Sequence, residues 1–157
     1  MLNLRDAKRE DSALIFDLIK KLAHYEKMEN DVQTSPDELE KQLFDFNYAQ
    51  VIIVEENQSA IGFALYFFNF STFVGKPGLY LEDLYIEPQH RNKGYGKKVL
   101  KELAQRAKNK GCGRMEWSVL KWNSPSIAFY KSLGASAMEE WDVYRLTESQ
   151  IEDLAKI

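Results

Sequence analysis

The sequence predicts an α+β protein, with a mixed, mainly antiparallel sheet flanked by helices. Three observations carry that expectation. Leu2–Arg5 alternates apolar and polar residues, and Val51–Glu55 and Ile61–Phe68 are apolar runs joined by Glu56-Asn57-Gln58-Ser59; these read as a first strand and a hairpin. Leu14, Ile15, Leu18, Ile19 and Leu22 recur at helical spacing, and so do Val99, Leu100, Leu103, Ala104 and Ala107. Between them Leu79–Ile86 reads as a strand that Pro88 stops, feeding the second of these helices through a glycine-bearing turn.

Taken in order, Asp11 or Ser12 is expected to cap the first helix. His24, Tyr25, Glu26 and Glu29 gather at its far end, where acidic groups oppose the helix dipole. Ser35-Pro36-Asp37-Glu38 has the form of a capping box with proline in the first turn, opening a short helix through about Phe44. After the hairpin, Phe70, Phe73 and Val74 lead to the breaker cluster Gly75-Lys76-Pro77-Gly78. Arg114–Leu120 alternates as a strand that Asn123-Ser124-Pro125 breaks, and a short helix, Pro125–Leu133, stops at Gly134. Glu139–Leu146 is expected as a last strand, and Thr147-Glu148-Ser149-Gln150 opens a terminal helix. There is no repeat, linker or low-complexity stretch, so residues 1–157 are expected to form one domain.

Composition narrows the function. A chain of 157 residues with 45% hydrophobic and 29% charged residues is long and apolar enough to bury a core. Its net charge of −3 gives no general attraction to nucleic acid. Basic residues do cluster between Arg91 and Arg114, on a helix whose other face is apolar; a solvated face or a patch meeting phosphates accounts for them. Cys112 is the one cysteine and His24 and His90 the only histidines. No disulfide framework, nucleophilic triad or metal site follows, and Cys112 is expected as a half-buried structural thiol. No basic-then-apolar leader opens the chain and Ile61–Phe68 is too short to span a bilayer, so a cytoplasmic protein without a membrane partner is expected.

The glycine turn carries the sharpest chemistry. Arg91-Asn92-Lys93-Gly94-Tyr95-Gly96 sits where backbone N–H groups emerge at a helix N-terminus, with Arg91 and Lys93 expected to add to its positive field. Such a terminus seats phosphate. It is not a Walker A loop, which would need glycine at Arg91 and Ser or Thr at Lys98, nor a Rossmann fingerprint, which would need glycine at Val99.

Arg91-x-x-Gly94-x-Gly96 after a strand and before a helix resembles the acetyl-CoA pyrophosphate loop of the GNAT acetyltransferases. Lys21-Leu-Ala-His-Tyr-Glu26, Tyr80-Leu-Glu-Asp83, Trp122-Asn-Ser-Pro-Ser126 and Phe129-Tyr130 through Gly134-Ala-Ser136 follow the order and spacing of the diamine (spermidine/spermine) N-acetyltransferase branch and its thialysine-acetylating relatives. The resemblance covers nearly the whole chain. It implies a GNAT-type fold and acetyl-CoA as co-substrate. The cofactor would be held by the strand residues Leu84, Tyr85 and Ile86, by the loop residues Arg91, Asn92 and Lys93, and by Gly94, Tyr95, Gly96 and Lys97. Asn123, Ser126 and Tyr130 complete the cofactor set, with Asn123 meeting the CoA arm.

Acetyl transfer needs a neutral amine and a proton for the departing thiolate. The resemblance sets the thioester near a splay of the central strands, where backbone N–H groups polarise its carbonyl. Glu82 is expected to bind the substrate ammonium and accept its proton through water, and Asp83 to supply further negative field or orient the loop. Neighbours on a strand face opposite ways, so only a bulge would let both serve one side. Tyr130, one helical turn after Ser126, is the expected acid. Tyr25, Glu26, Phe73, Trp122, Asp142 and Tyr144 are expected at the amine. Phe73 and Tyr144 stand where the polyamine enzymes have tryptophan, which weakens cation–π contact and puts spermine and spermidine in doubt, while an aminoalkyl amino acid such as thialysine or lysine remains. Relatives are commonly homodimers, and that is expected here. Acetylation of a protein amino group, or CoA binding without turnover, stay open as alternatives.

Overall fold

The computed structural model describes residues 1–157, which fall into two compact units, Met1–Ser118 and Val119–Ile157. The first holds a five-stranded sheet in sequence order: β1 (Leu2–Asp6), β2 (Gln50–Glu56), β3 (Ser59–Ser71), β4 (Lys76–Ile86) and β5 (Arg114–Trp117). The first three pairings are antiparallel and β4–β5 is parallel, as a mixed, mainly antiparallel sheet requires. The hairpin turns at Asn57 and Gln58, both with positive φ (51° and 70°), which suits the right-handed twist of the strands it joins.

Helix α1 (Ser12–Tyr25) lays Ile15, Leu18 and Leu22 on one face of the sheet, against Val51, Ile53, Phe63 and Tyr85, with Leu43 of the following segment. That segment is α2 (Pro36–Glu40), running on into a wider π turn at Lys41–Asp45. Ser35 Oγ accepts from the Glu38 N–H at 3.1 Å, as the capping signature predicts. Helix α3 (Tyr95–Asn109) buries Val99, Leu100, Leu103 and Ala107. Each buried Leu or Val of these stripes is worth about 1.5–3 kcal/mol in removed apolar surface.

The start of α1 differs from expectation. Neither Asp11 nor Ser12 caps it by its side chain. A short 3₁₀ turn at Arg9–Asp11 precedes the helix, and the Asp11 carboxylate instead accepts both terminal nitrogens of Arg5 (2.8 and 3.0 Å) and the Lys8 N–H. A charged, bidentate donor outcompetes an ordinary backbone cap.

The second unit contains α4 (Ser124–Ser132) and α5 (Glu148–Ala155). Gly134, at φ 89°, stops α4 where glycine alone tolerates that conformation. Gln150 accepts from the Thr147 N–H at 2.9 Å and closes the first turn of α5. The expected last strand, Glu139–Leu146, is not one: these residues pair with no strand and are largely exposed. Its apolar–polar pattern supplies one side of a ladder, and a strand exists only when a neighbouring backbone supplies the other. Strand β5 is likewise shorter than the expected Arg114–Leu120, ending at Trp117. No helix is long and apolar enough to cross a membrane.

Candidate active site

Strand β4 organises the first unit's site through two irregularities at one place. Its pairing with β5 runs only from Gly78↔Arg114 to Leu81↔Trp117, so Glu82–Ile86 have no strand on that side. Its pairing with β3 passes from Leu81↔Tyr66 to Asp83↔Leu65, leaving Glu82 as an extra residue. That is the bulge on which a joint role for Glu82 and Asp83 depends, and it re-aims side chains locally. Leu65 packs against the α1-side core, which sets Asp83 on the α1 face of the sheet.

Glu26, one residue past the end of α1, belongs to the same cluster. Burial and the charge of Glu82 push its carboxyl above the usual range. Asp83 is pushed up to about 7, first by burial and then by Glu82 and Glu26. Neither a hydrogen bond nor a neighbouring cation pulls the Asp83 carboxyl back down. Glu82 itself is exposed. Three carboxylates thus converge beside the open edge of β4, an arrangement that attracts a cation.

The glycine loop follows. Gly94 adopts φ 77° and forms the N-cap of α3 with no side chain capping it, so the first-turn N–H groups of the helix remain available to an anion. Asn92 also has positive φ (63°). Arg91 and Lys93, expected to add to the field at the anion, are engaged elsewhere. Arg91 lies between the rings of Tyr25 (4.5 Å to the centroid) and Tyr85 (5.5 Å), and its Nε donates to the Ile86 carbonyl at 2.8 Å. Lys93 pairs with Glu56 at 3.2 Å. Glu56 also accepts from Tyr95 Oη at 2.6 Å and contacts His90 Nδ1. These partners, Tyr95 foremost, hold its carboxyl down to about 2. Lys97 and Lys98 are exposed cations of the first turn with no carboxylate partner, Lys98 lying 5.9 Å from the Tyr95 ring centroid. Sequence inspection missed Glu56, because nothing local marks a strand-end glutamate as the anchor of a loop more than thirty residues on.

Phe73 stands apart from the cluster. It is fully exposed on the turn joining β3 to β4, six strand residues from Glu82 once β4 begins, or about 20 Å. In the second unit, Asn123 Oδ1 accepts from the Ser126 N–H at 3.3 Å and caps α4, which carries Tyr130 one turn beyond Ser126. The ring of Tyr130 lies 5.6 Å from that of Phe129. Trp122 precedes this cap, half-exposed, while Asp142 and the 94%-exposed Tyr144 lie in the segment that is not a strand. Cys112 is half-buried, as expected.

Residues 16–135 match the model of the Acetyltransferase (GNAT) family. The chain therefore belongs to the GNAT acetyltransferases and is an N-acetyltransferase, moving acetyl groups to amines. It is 35% identical to the thialysine N-epsilon-acetyltransferase of Bos taurus over 97% of this chain and 96% of that one. It is 40% identical to an L-ornithine N5-acetyltransferase of Arabidopsis thaliana, over 61% of this chain and 42% of the relative. Among solved structures, an integron cassette protein from the mobile metagenome of V. cholerae superposes with a TM-score of 0.81 at 27% identity, covering 99% and 98% of the two chains.

Proposed function

We propose that this protein transfers the acetyl group of acetyl-CoA to a small cationic amine, with thialysine or a lysine-like amino acid first in order, then ornithine-like diamines and polyamines. The observation that carries this reading is the convergence of Glu26, Glu82 and Asp83 beside the open edge of β4. The near full-length similarity to thialysine acetyltransferases supports the substrate order. Acetyl-CoA brings an activated thioester. In this reading the first turn of α3 and Lys97 receive its phosphates and the free edge at Leu84–Ile86 receives its arm, and Asn123 and Ser126 are further cofactor ligands. The carboxylates hold the substrate cation and lower the cost of presenting it desolvated. The neutral amine attacks the thioester carbonyl directly, and Tyr130 gives a proton to the departing sulfur.

The whole chain, 1–157, acts as one acetyltransferase domain in the cytoplasm. A homodimer is part of the proposal: Trp141, Val143, Tyr144 and Leu146 are exposed apolar side chains on a segment that pairs with no strand, and a second copy would cover them. Sedimentation or light scattering reads that state directly.

The test is thiol release from acetyl-CoA against thialysine, lysine, ornithine, putrescine, spermidine and a basic peptide. Turnover is expected to favour thialysine. Turnover of the peptide alone would replace the small-amine reading with a protein substrate, and CoA binding without any turnover would replace it with a regulatory module.

A further inference from the structure

On the reading of the chain as an amine acetyltransferase, we propose that Asp83, rather than Glu82, accepts the proton of the substrate ammonium, while Glu82 binds its charge. The two carboxylates are adjacent in sequence and the β4 bulge makes them unequal in space. Glu82 is the extra residue of the bulge and is exposed, so water already stabilises its charge. Asp83 is in register with Leu65, on the face that carries the α1-side core, and is partly buried. From α1 it is faced by Glu26, with Tyr25 beside it; along β4 it is flanked by Glu82 and, two residues on, by Tyr85. The Arg91 guanidinium lies over the rings of Tyr25 and Tyr85, 4.5 and 5.5 Å from their centroids, and the charges that act on Asp83 are those of Glu82 and Glu26. Opposite, Leu65 is uncharged.

A partly buried carboxylate with two negative neighbours and no donor destabilises the fold that contains it. Catalysis gives a reason to keep it. An ordinary aspartate, near 4, is a poor base for an alkylammonium near 10. With its carboxyl at about 7, Asp83 closes half of that gap. It is also ionised often enough near neutrality to be ready when the amine arrives.

The bound ammonium gives one N–H proton to the Asp83 carboxylate and becomes a neutral amine. Its lone pair forms the C–N bond at the thioester carbonyl, and the C–S bond breaks. The second amine proton leaves nitrogen, the thiolate takes up a proton, and Asp83 returns its own to solvent. Ammonium and thioester become amide, thiol and one released proton.

The experiment is the pH profile of kcat/KM for thialysine in the wild type, Asp83→Asn, Asp83→Glu and Glu82→Gln. The wild type should show an ascending limb with its midpoint near 7. Asp83→Asn should lower kcat by about 100-fold or more and erase the limb, and Asp83→Glu should restore part of both. Glu82→Gln should raise KM and keep the limb, moved to lower pH because a negative neighbour is gone. An Asp83→Asn enzyme that keeps its kcat and its limb, with both lost in Glu82→Gln, overturns the assignment. Carboxyl ¹³C NMR of the resting protein gives a readout independent of turnover: one resonance should titrate near neutrality and vanish in Asp83→Asn. Its absence overturns the proposal even where amines are acetylated. Its presence without turnover of any amine would overturn the acetyltransferase reading, and the role of Asp83 with it.

Discussion

Replacing Arg91 by alanine should unfold the protein more easily rather than merely weaken its hold on phosphate. The guanidinium lies over the rings of Tyr25 (4.5 Å to the centroid) and Tyr85 (5.5 Å) and donates to the Ile86 carbonyl at 2.8 Å. Two ring contacts contribute about 0.5–1 kcal/mol each. The charged hydrogen bond adds about 1.5 kcal/mol. Shared partners make these less than additive, so about 2–3 kcal/mol is the expected loss. For a chain of this size that lowers Tm by about 4–12 °C. Urea unfolding and thermal melts of Arg91→Ala and Arg91→Lys read it. Lysine keeps the charge but neither the flat ring contact nor the Nε donor, so it should rescue little stability. Unchanged melting in both variants, with CoA affinity lost in alanine and restored in lysine, would refute the strut and make Arg91 a phosphate ligand.

Two glycines should behave differently under the same substitution. A Cβ on Gly62 would lie 2.2 Å from the Tyr85 carbonyl oxygen, a backbone atom that cannot rotate away, so Gly62→Ala should cost about 3 kcal/mol and disturb the edge of β4. Gly94→Ala meets nothing within 4 Å, and its cost is the left-handed conformation alone, about 1–2 kcal/mol; denaturant midpoints separate the two. Glu56 is more acidic folded, at about 2, than its ordinary 4.5, so it stabilises the fold above pH 4.5 and loses that effect as pH falls toward 2. Glu56→Gln should flatten acid destabilisation in that window and weaken CoA binding, read by melts across pH and by calorimetry. Asp83 has the opposite sign: raised from 3.8 to about 7, it makes the fold less stable as pH rises between those values. Asp83→Asn should therefore melt higher than wild type at pH 8 while turning over amines poorly, and a lower Tm there would contradict the placement of this carboxyl.

Much of the first unit is legible in the sequence because its signals are local. The stripe Ile15–Leu18–Leu22, the hairpin at Asn57-Gln58 and the helix after Gly94 each follow from periodicity or backbone conformation within one element. What escaped needs two segments at once. The bulge at Glu82 exists only in register with β3, and alternation along β4 alone cannot reveal it. Glu56 anchors Lys93 and Tyr95 across the sheet, which diverts a cation assigned to phosphate. Asp11 looked like a cap until Arg5 claimed it. Glu139–Leu146 has a strand's pattern without a partner to pair with. Spacing thus marked the glycine turn before α3 and the acidic residues of β4, while the inequality of Glu82 and Asp83 came from tertiary register.

The most direct measurement is mass spectrometry of the product from acetyl-CoA and thialysine, run with wild type and with Asp83→Asn at the same pH near neutrality. Wild type should add one acetyl group to the side-chain amine, and the variant, folded and melting at least as high, should form it about 100-fold more slowly. Rapid acetylation by the folded variant, or no acetylated thialysine, lysine, ornithine or polyamine from the wild type, would contradict that expectation.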